Sequence, residues 1–286
     1  MKPAKFEYVL ASSVEAAIEA LVASNGEGKV LAGGQSLLPL LNFRMARPAV
    51  LVDLNGIKGL SYIEERGDHI AIGALTRHRE LEHSPLIASK LPVMAAAMRY
   101  VAHLAIRNRG TIGGSMSHAD PAAELPMLST FYDARICVQG PGGRRSIAAE
   151  EFFIDALTNC MESEEIVVEI EFPILQHDGW AFEEVARRFG DFALASIAVS
   201  LCRGPARLKD ARVAVMGVAR TPLRLREAEQ ELVAMELDER APERFSQIVV
   251  SRISPNDDLH ASAEYRKHLL AQLSKRALLT ALAVKD

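Results

Sequence analysis

The sequence predicts an α+β protein built from two domains. Its 286 residues exceed the usual size of a single domain, so two compact units are expected. In the last third of the chain, three strand-like stretches precede two helix-like stretches, which is the order typical of an α+β unit. A segment at 174–179 has the character of a linker. We therefore predict an N-terminal domain over 1–175 and a smaller α+β domain over 176–286.

The N-terminal domain is predicted to begin with one helix and two strands. Ser12 and Glu15 have the spacing of a capping box, and the apolar residues that follow recur at helical intervals. The segment that begins at Glu7 is interpreted as a mixed helix. Two short apolar runs, each close to glycine, predict buried strands. The helix is expected over 14–24 and the strands over 29–32 and 50–54.

Further elements follow from the same periodicities. A long helix with one apolar face is expected to stop before Gly110, and Pro141-Gly142-Gly143 separates two runs in the manner of a hairpin. Strands are predicted at 69–74, 134–139, 144–148, 165–172, 181–186, 196–202 and 211–218, and helices at 91–106, 225–235 and 264–282.

The composition excludes several classes of function. A net charge of −4 does not provide the positive charge with which proteins bind the phosphates of nucleic acid. The sequence has no apolar run long enough to span a bilayer and no signal peptide, so we expect no membrane insertion and a cytoplasmic location.

A thiolate-held iron–sulfur cluster takes four cysteines, whereas the chain has only Cys137, Cys160 and Cys202. These three are expected to be inert core residues, so the chain itself should carry no cluster.

Two glycine-rich turns indicate a ligand site. The first, Ala32-Gly33-Gly34-Gln35-Ser36, follows an apolar strand, and its successive N–H groups can form a nest for an anion. Gln35 and Ser36 add side-chain donors, and Ser36 is also a candidate cap for the following turn. The alternative is a tight strand-to-helix turn that needs glycine for packing alone.

The second turn, Thr111-Ile112-Gly113-Gly114-Ser115, repeats the pattern and is followed by polar residues. A pyrophosphate between the two turns would receive several charge-assisted hydrogen bonds, each contributing about 1.5–3 kcal/mol. Asp120 can only accept hydrogen bonds, so its place in such a site is on a ribityl or ribose hydroxyl. The alternative for Asp120 is a turn residue before Pro121.

Other binding patterns are incomplete in this sequence. Gly26-Glu27-Gly28 begins like a dinucleotide-binding fingerprint, but it lacks the third glycine and precedes a strand. His78, His83 and His118 lack the neighbours of a metal site, so surface or supporting roles are expected for them and no metal site is predicted. No histidine or carboxylate stands out as a catalytic base, so no catalytic residue is assigned.

Four ordered motifs resemble those of the medium, FAD-binding subunit of molybdenum hydroxylases, the family typified by carbon monoxide dehydrogenase and xanthine dehydrogenase. They are the two turns, the first continued by Leu37-Leu38-Pro39, then Asp120-Pro121 and the segment 188–193. The resemblance covers nearly the whole chain. It implies a two-lobed FAD-binding domain of the vanillyl-alcohol-oxidase (PCMH) type, with lobes at about 1–55 and 56–175. A C-terminal domain with a three-stranded antiparallel sheet and helices would follow.

The resemblance also implies the cofactors and the partners. FAD is the cofactor of this chain, whereas molybdopterin and the [2Fe–2S] clusters belong to a large and a small partner subunit, assembled as a dimer of heterotrimers. The chain would take electrons from the clusters and pass them to an external acceptor. Two alternatives stay open. One is a stand-alone FAD-dependent oxidoreductase, and the other is a scaffold subunit that has lost FAD.

The site residues implied by the resemblance are the two turns with their flanks and three later residues. Phe192 stands where carbon monoxide dehydrogenases have a tyrosine, so its ring would pack on the flavin, and the alternative is a buried core aromatic. Arg187, Arg188 and Arg224 are candidates for a cation near the flavin ring. The expected FAD-binding residues are Leu31, Ala32, Gly33, Gly34, Gln35, Ser36, Leu37, Thr111, Ile112, Gly113, Gly114, Ser115, Ser117, Asp120 and Phe192.

Overall fold

The computed structural model describes residues 1–205 and 207–284. Its first lobe is a small parallel sheet with strand order β1-β3-β2, flanked by two helices. Apolar residues of the first helix, among them Ile18 and Leu21, pack with Val52 of the central strand. The elements are β1 (Glu7–Leu10), α1 (Val14–Ala23), β2 (Gly28–Leu31), α2 (Leu37–Asn42) and β3 (Val50–Asp53).

Two details of this lobe differ from the sequence prediction. The mixed helix expected from Glu7 onward is wrong, because residues 7–10 form β1 and pair in parallel with β3. The cap of α1 is Ser13, whose side chain accepts a hydrogen bond from the backbone N–H of Ala16, so the capping box assigned to Ser12 is one residue out of register. The predicted helix and both strands are confirmed within about a residue at each end.

The second lobe is an antiparallel five-stranded sheet, with strand order β4-β5-β10-β6-β7, covered by short helices. The predicted hairpin around Pro141-Gly142-Gly143 is confirmed as the β6–β7 pair. The elements are β4 (Ile63–Arg66), β5 (His69–Gly73), α3 (His78–His83), α4 (Pro85–Lys90), α5 (Pro92–Ala97), α6 (Leu104–Arg107), α7 (Ile112–His118), α8 (Glu124–Phe131), β6 (Arg135–Gly140), β7 (Gly143–Ala148), α9 (Ala149–Phe152), β8 (Phe153–Asp155), β9 (Thr158–Asn159) and β10 (Ile166–Pro173).

The single long helix predicted at 91–106 is wrong. The chain leaves the helical path after Ala97 and resumes it only at α6. Ala102, in between, has a left-handed backbone with φ +45°. The buried guanidinium of Arg107 donates hydrogen bonds to the carbonyls of Val101 and Ala102, at 2.9 Å each, which holds the break in place. Local hydrogen bonds from one side chain thus override the helical periodicity.

The last part of the chain is an antiparallel sheet, with strand order β11-β12-β13-β14, and three helices. The three predicted strands are confirmed, but the three-stranded count is wrong because a short fourth strand is present, and α11 was not predicted. No helix of the described residues has the length and apolar character needed to cross a bilayer. The elements are β11 (Gly179–Ala186), β12 (Ala193–Arg203), β13 (Leu208–Met216), β14 (Leu223–Arg224), α10 (Arg226–Ala234), α11 (Ala241–Ser251) and α12 (Ala263–Ala283).

The two faces of this sheet belong to different cores. Ile197 and Val199 are buried with Leu278 of α12 in a core of the C-terminal part. Phe182 and Met216 are buried in the same cluster as residues of α5 and α8. One face of the C-terminal sheet therefore packs against the helices of the second lobe.

Candidate functional site

The first glycine turn presents a row of unpaired backbone donors. Among the residues that the structure describes, the N–H groups of 33–36 find no hydrogen-bond acceptor within the protein. Gly34 has φ +73°, a conformation that favours glycine and turns successive N–H groups toward one side. Buried or half-buried N–H groups need an acceptor from outside the chain. The turn therefore has the donor set of an anion-binding cradle.

The side chains of this turn have different roles from those expected. Gln35 donates through Nε2 to the carbonyl of Gly33 at 2.8 Å, so its amide stabilises the turn itself. Ser36 lies at the N-cap position of α2, but its side chain does not make the capping hydrogen bond, and the expectation that it does so is wrong. Leu31 ends β2 and Leu37 begins α2, so both flank the cradle and both are half-buried.

The structure brings the two turns together. A methyl group on Gly33 would lie 2.3 Å from the carbonyl oxygen of Arg109, just before the second turn. Asn55 donates to the carbonyl of Ala32 at 2.9 Å and accepts from the Arg77 guanidinium at 2.6 Å. Arg77 also donates to the carbonyl of Arg109. Asn55 and Arg77 thus form a clamp that joins the first turn to the approach of the second.

The second turn is built differently from the first. The N–H groups of 112–115 all have acceptors inside the protein. Thr111 caps α7, because its hydroxyl accepts from the N–H of Gly114 at 3.1 Å. A methyl group on Gly113 would lie 2.6 Å from the Cβ atom of Ala74, so this glycine serves close packing against the end of β5. The second turn therefore offers hydroxyl groups and the start of α7 rather than a row of free N–H groups.

His78 lies beneath the second turn, although the sequence suggested no special place for it. Its Nε2 atom is 3.1 Å from the carbonyl of Thr111 and 3.0 Å from the hydroxyl of Ser115. Burial lowers the pKa of His78 to about 4, and nearby Arg107 and Arg77 act in the same direction. The imidazole is therefore neutral at pH 7, and its Nε2–H donates to the Thr111 carbonyl.

The residues after α7 connect the second turn to the C-terminal sheet. One carboxylate oxygen of Asp120 accepts from the N–H of Ala122 at 2.9 Å, which is the turn role proposed as an alternative. The Pro121 carbonyl accepts from the N–H of Gly217 at 3.0 Å, which fixes this loop to the end of β13. Ser117 donates to the carbonyl of Gly113 at 2.8 Å, so its hydroxyl can only accept further hydrogen bonds.

Phe192 lies on the surface, so the alternative of a buried core aromatic is wrong. Its side chain is 57% exposed, and that of Phe189 in the same loop is 66% exposed. The loop is held against the second lobe at Gly190, which has φ +85° and lies close to the carbonyl of Ala102 and the ring of His103. An exposed phenyl ring at this junction is available to stack on a ligand.

The three candidate cations separate into two groups. The side chain of Arg224 is only 8% exposed and donates to Glu229, at 2.8 Å, and to Asp133, so it stabilises the C-terminal sheet. Arg187 and Arg188 lie in the exposed loop that carries Phe192. Of the three, these two are exposed.

Leu157 is a further candidate residue that the sequence analysis did not identify. It is 58% exposed and has a left-handed backbone with φ +57°, which is uncommon for an apolar side chain. Its N–H donates to the carbonyl of Ala119 at 3.0 Å, immediately before Asp120. Strained non-glycine residues concentrate at ligand sites. The strain itself leaves no signal in the sequence.

Glu124 and Glu184 have unusual environments that the sequence analysis did not identify. Glu124 is the first residue of α8 and is 7% exposed. Glu184 lies in β11, and its Oε2 atom is buried without a hydrogen-bond partner among the described residues. Burial raises the pKa of both carboxyl groups, and repulsion from Glu124 raises that of Glu184 further. The negative charge of Asp120 also raises the pKa of Glu124.

One cluster of side chains has the residue types of a metal site, but two arginines already pair with one of its carboxylates. The side chains of Cys137, Glu169 and Glu171 lie within 4.8 Å of one another. The Glu169 carboxylate already accepts hydrogen bonds from Arg66, at 2.7 Å, and from Arg144. These two guanidinium groups neutralise the carboxylate, so the cluster does not favour a cation.

All three cysteines are free thiols, but only Cys137 is fully buried; Cys160 and Cys202 are half-buried.

The fold and the cradle define a dinucleotide-binding protein of two domains. Residues 4–175 match the FAD binding domain in molybdopterin dehydrogenase, and residues 180–281 match the CO dehydrogenase flavoprotein C-terminal domain. The chain belongs to this family of FAD-binding medium subunits of molybdenum hydroxylases and is an oxidoreductase subunit.

Individual relatives match over almost their full length. The chain is 40% identical to the 6-hydroxypseudooxynicotine dehydrogenase complex subunit alpha of Paenarthrobacter nicotinovorans, over 99% of this chain and 96% of that protein. It is 38% identical to the nicotine 6-hydroxylase medium subunit of the same organism, over 98% and 99% of the two chains. A chain of carbon monoxide dehydrogenase from Hydrogenophaga pseudoflava superposes with a TM-score of 0.95 at 36% identity, and the match covers 100% of both chains.

Proposed function

We propose that the chain binds one FAD noncovalently and transfers electrons within a molybdenum hydroxylase complex. The observation that carries the binding proposal is the row of four free N–H groups at residues 33–36. Each charge-assisted hydrogen bond from such a group to a phosphate oxygen contributes about 1.5–3 kcal/mol. Together these bonds are enough for a tightly held cofactor. Bound FAD would supply the redox chemistry.

The proposed positions along the cofactor follow the order of the site. In this proposal the pyrophosphate lies on residues 32–36 and at the start of α7, close to Thr111, whose hydroxyl caps α7, and to Ser115, whose hydroxyl contacts His78. Asp120 keeps one carboxylate oxygen for a ribityl or ribose hydroxyl. Phe192 and Leu157 supply apolar contacts to the flavin ring. The other proposed FAD-binding residues are Ile112, Gly113, Gly114 and Ser117 of α7, together with Leu31 and Leu37, which flank the first turn.

The partners follow from the family. Related medium chains and subunits belong to multi-subunit complexes. For this chain we propose a large molybdopterin subunit and a small [2Fe–2S] subunit, assembled as a dimer of heterotrimers in the cytoplasm. The domain division at residue 175, with lobes at about 1–55 and 56–175, belongs to the same proposal. The substrate would then be selected by the large subunit and not by this chain.

A charge-reversal test addresses the cradle directly. Ser36→Asp places a carboxylate beside the free N–H groups, where it would repel the pyrophosphate by several kcal/mol. Ser36→Asn has the same shape without the charge and serves as the matched control. We expect the Asp variant to lose FAD affinity by at least about a hundredfold and the Asn variant to stay within about threefold of wild type. Equal affinities of the two variants, measured by flavin fluorescence quenching, would contradict the placement of the pyrophosphate.

A further inference from the structure

The β8–β9 hairpin lies against the carboxyl end of α7. Nδ2 of Asn159 donates a hydrogen bond to the carbonyl of Ser117, in the last turn of that helix, at 2.8 Å. The N–H of Leu157 donates to the carbonyl of Ala119, immediately before Asp120, at 3.0 Å. Two hydrogen bonds from the hairpin therefore satisfy carbonyl groups that the end of a helix leaves without a partner, and they hold the start of the loop after α7.

The C-terminal sheet holds the next residues of the same loop. The N–H of Gly217, which directly follows β13, donates to the carbonyl of Pro121 at 3.0 Å. The N–H of Ala193, the first residue of β12, donates to the carbonyl of Ala122 at 3.4 Å. The loop that carries Asp120 is therefore fixed both to the hairpin and to the C-terminal sheet.

An ion pair joins the hairpin to the C-terminal sheet directly. Arg220, in the connection between β13 and β14, donates through Nε to Oδ1 of Asp155 at 2.6 Å and through Nη2 to Oδ2. The pair is bidentate, which gives it a defined geometry as well as energy. Asp155 also accepts from the N–H of Ala156 at 2.7 Å, so its carboxylate is fixed to the hairpin. The hairpin, the loop after α7 and the C-terminal sheet thus form a closed ring of contacts.

We infer that Asn159 and Arg220 are positioning residues for the FAD site: Asn159 fixes the hairpin to the end of α7, and Arg220 fixes it to the C-terminal domain. The inference rests on the proposed FAD site, in which Asp120 of the loop and Leu157 of the hairpin contact the cofactor. Both positioning residues act through the ring and not by contact with FAD. The C-terminal domain therefore completes a cofactor site whose phosphate cradle lies in the N-terminal domain.

Charge reversal in the full chain tests the ion pair. Arg220→Asp and Asp155→Arg should each raise the dissociation constant for FAD by about three- to tenfold, because each places two like charges side by side. The double variant with both substitutions restores an opposite-charge pair and should return to within about threefold of wild type. A direct effect of charge on the anionic cofactor would have a different signature, because Asp155→Arg would then tighten binding while Arg220→Asp weakens it.

The matched control for charge reversal is Arg252→Glu. Arg252, at the end of α11, pairs with Glu231 at 2.7 Å and is also partly exposed. Its reversal changes the net charge and breaks a surface pair in the same domain without touching the ring. Its dissociation constant for FAD should therefore stay within about twofold of wild type.

Asn159→Asp tests the contact with α7. The aspartate keeps an acceptor for the N–H of Met161, which Oδ1 of Asn159 binds at 3.0 Å, but it loses the donor to the Ser117 carbonyl. We expect the dissociation constant for FAD to rise about tenfold in the wild-type background. The rise should be less than about twofold when Asp120→Ala is already present, because Asn159 acts through the Asp120 loop. Equal rises in the two backgrounds would contradict this role of Asn159.

Hydrogen exchange of the apo-protein gives a readout without FAD. Exchange of the backbone amides of 153–159 should be faster in Asn159→Asp and in Arg220→Asp than in wild type, and the charge-swapped double variant should recover protection. Failure of wild type to bind FAD would overturn the proposed function. FAD binding by wild type together with unchanged dissociation constants in both single reversals, or with no recovery in the double variant, would overturn the inference alone.

Discussion

The guanidinium of Arg77 donates a hydrogen bond to Oδ1 of Asn55 at 2.6 Å, and this bond ties the start of α3 to the residues that follow β3. Asn55 in turn donates to the carbonyl of Ala32, and Arg77 donates to the carbonyl of Arg109. The distance between the two glycine turns is therefore set by two side chains outside both of them. Neither Asn55 nor Arg77 belongs to the motifs on which the family resemblance rests.

Replacing Arg77 should weaken FAD binding without removing any group that contacts the cofactor. Arg77→Lys keeps the charge, but it cannot donate hydrogen bonds to Asn55 and to the Arg109 carbonyl at the same time, because a lysine lacks the planar fork of the guanidinium. We expect the dissociation constant for FAD to rise about tenfold, equivalent to about 1.4 kcal/mol. Titration of the apo-protein with FAD measures the change. Arg79→Lys, in a half-buried pair with Glu82 within the helix that Arg77 caps, is the control and should bind like wild type.

His78 should make the folded state sensitive to acid. Its pKa is about 4 in the folded chain against an ordinary 6.5, so the unfolded chain takes up the proton first as the pH falls. The contribution of neutral His78 to the free energy of unfolding is fully present above pH 6.5, declines below that pH and is lost by about pH 4. We expect the free energy of unfolding to fall by about 2 kcal/mol between pH 7 and pH 5 from this residue.

Urea unfolding at several pH values tests the role of His78. His78→Gln should flatten this part of the pH dependence, whereas His83→Gln, on the exposed end of the same helix, should leave it intact. A wild-type slope that persists in His78→Gln would show that another group is responsible.

Gly33 should be needed for the fold as well as for the ligand. Because a methyl group there would lie 2.3 Å from the Arg109 carbonyl, Gly33→Ala should destabilise the apo-protein by about 1–3 kcal/mol. Gly142→Ala, where the methyl group would meet nothing within 4 Å, should change stability by less than about 0.5 kcal/mol. Thermal unfolding without FAD gives both values. If Gly33→Ala is as stable as wild type, the close approach of the two turns is not as described.

The isolated chain should bind FAD but remain redox-silent toward substrates. Acid precipitation should release all of the flavin as FAD, with one equivalent per chain. Under anaerobic conditions, N-heterocycles, aldehydes and carbon monoxide should not bleach the flavin until the molybdenum and iron–sulfur subunits are added. Rapid bleaching of the isolated chain by one of these substrates would favour a stand-alone oxidoreductase. A colourless protein that does not take up FAD would favour the scaffold alternative.

The sequence was informative where one local pattern determines the structure. Gly33-Gly34 after an apolar strand predicts the cradle, because a row of free N–H groups needs only a short run of backbone. It was uninformative where a particular side-chain contact or a distant segment determines the structure. The break at Ala102 depends on hydrogen bonds from the Arg107 side chain, five residues later, and the burial of His78 depends on the second turn, which lies more than 30 residues away in the chain. Phe192 is as apolar as a core residue, and its 57% exposure is a property of the fold that its side-chain chemistry does not indicate.

The shared core beneath the C-terminal sheet limits how far the chain can be treated as modular. Because Phe182 and Met216 are buried among the helices of the second lobe, cleavage in the linker would not release two independent folding units. A fragment that ends at residue 175 would expose an apolar surface and tend to aggregate. Exchange of the C-terminal part between relatives should therefore succeed only when the facing side chains of α5 and α8 are exchanged with it, so these two surfaces have to evolve together.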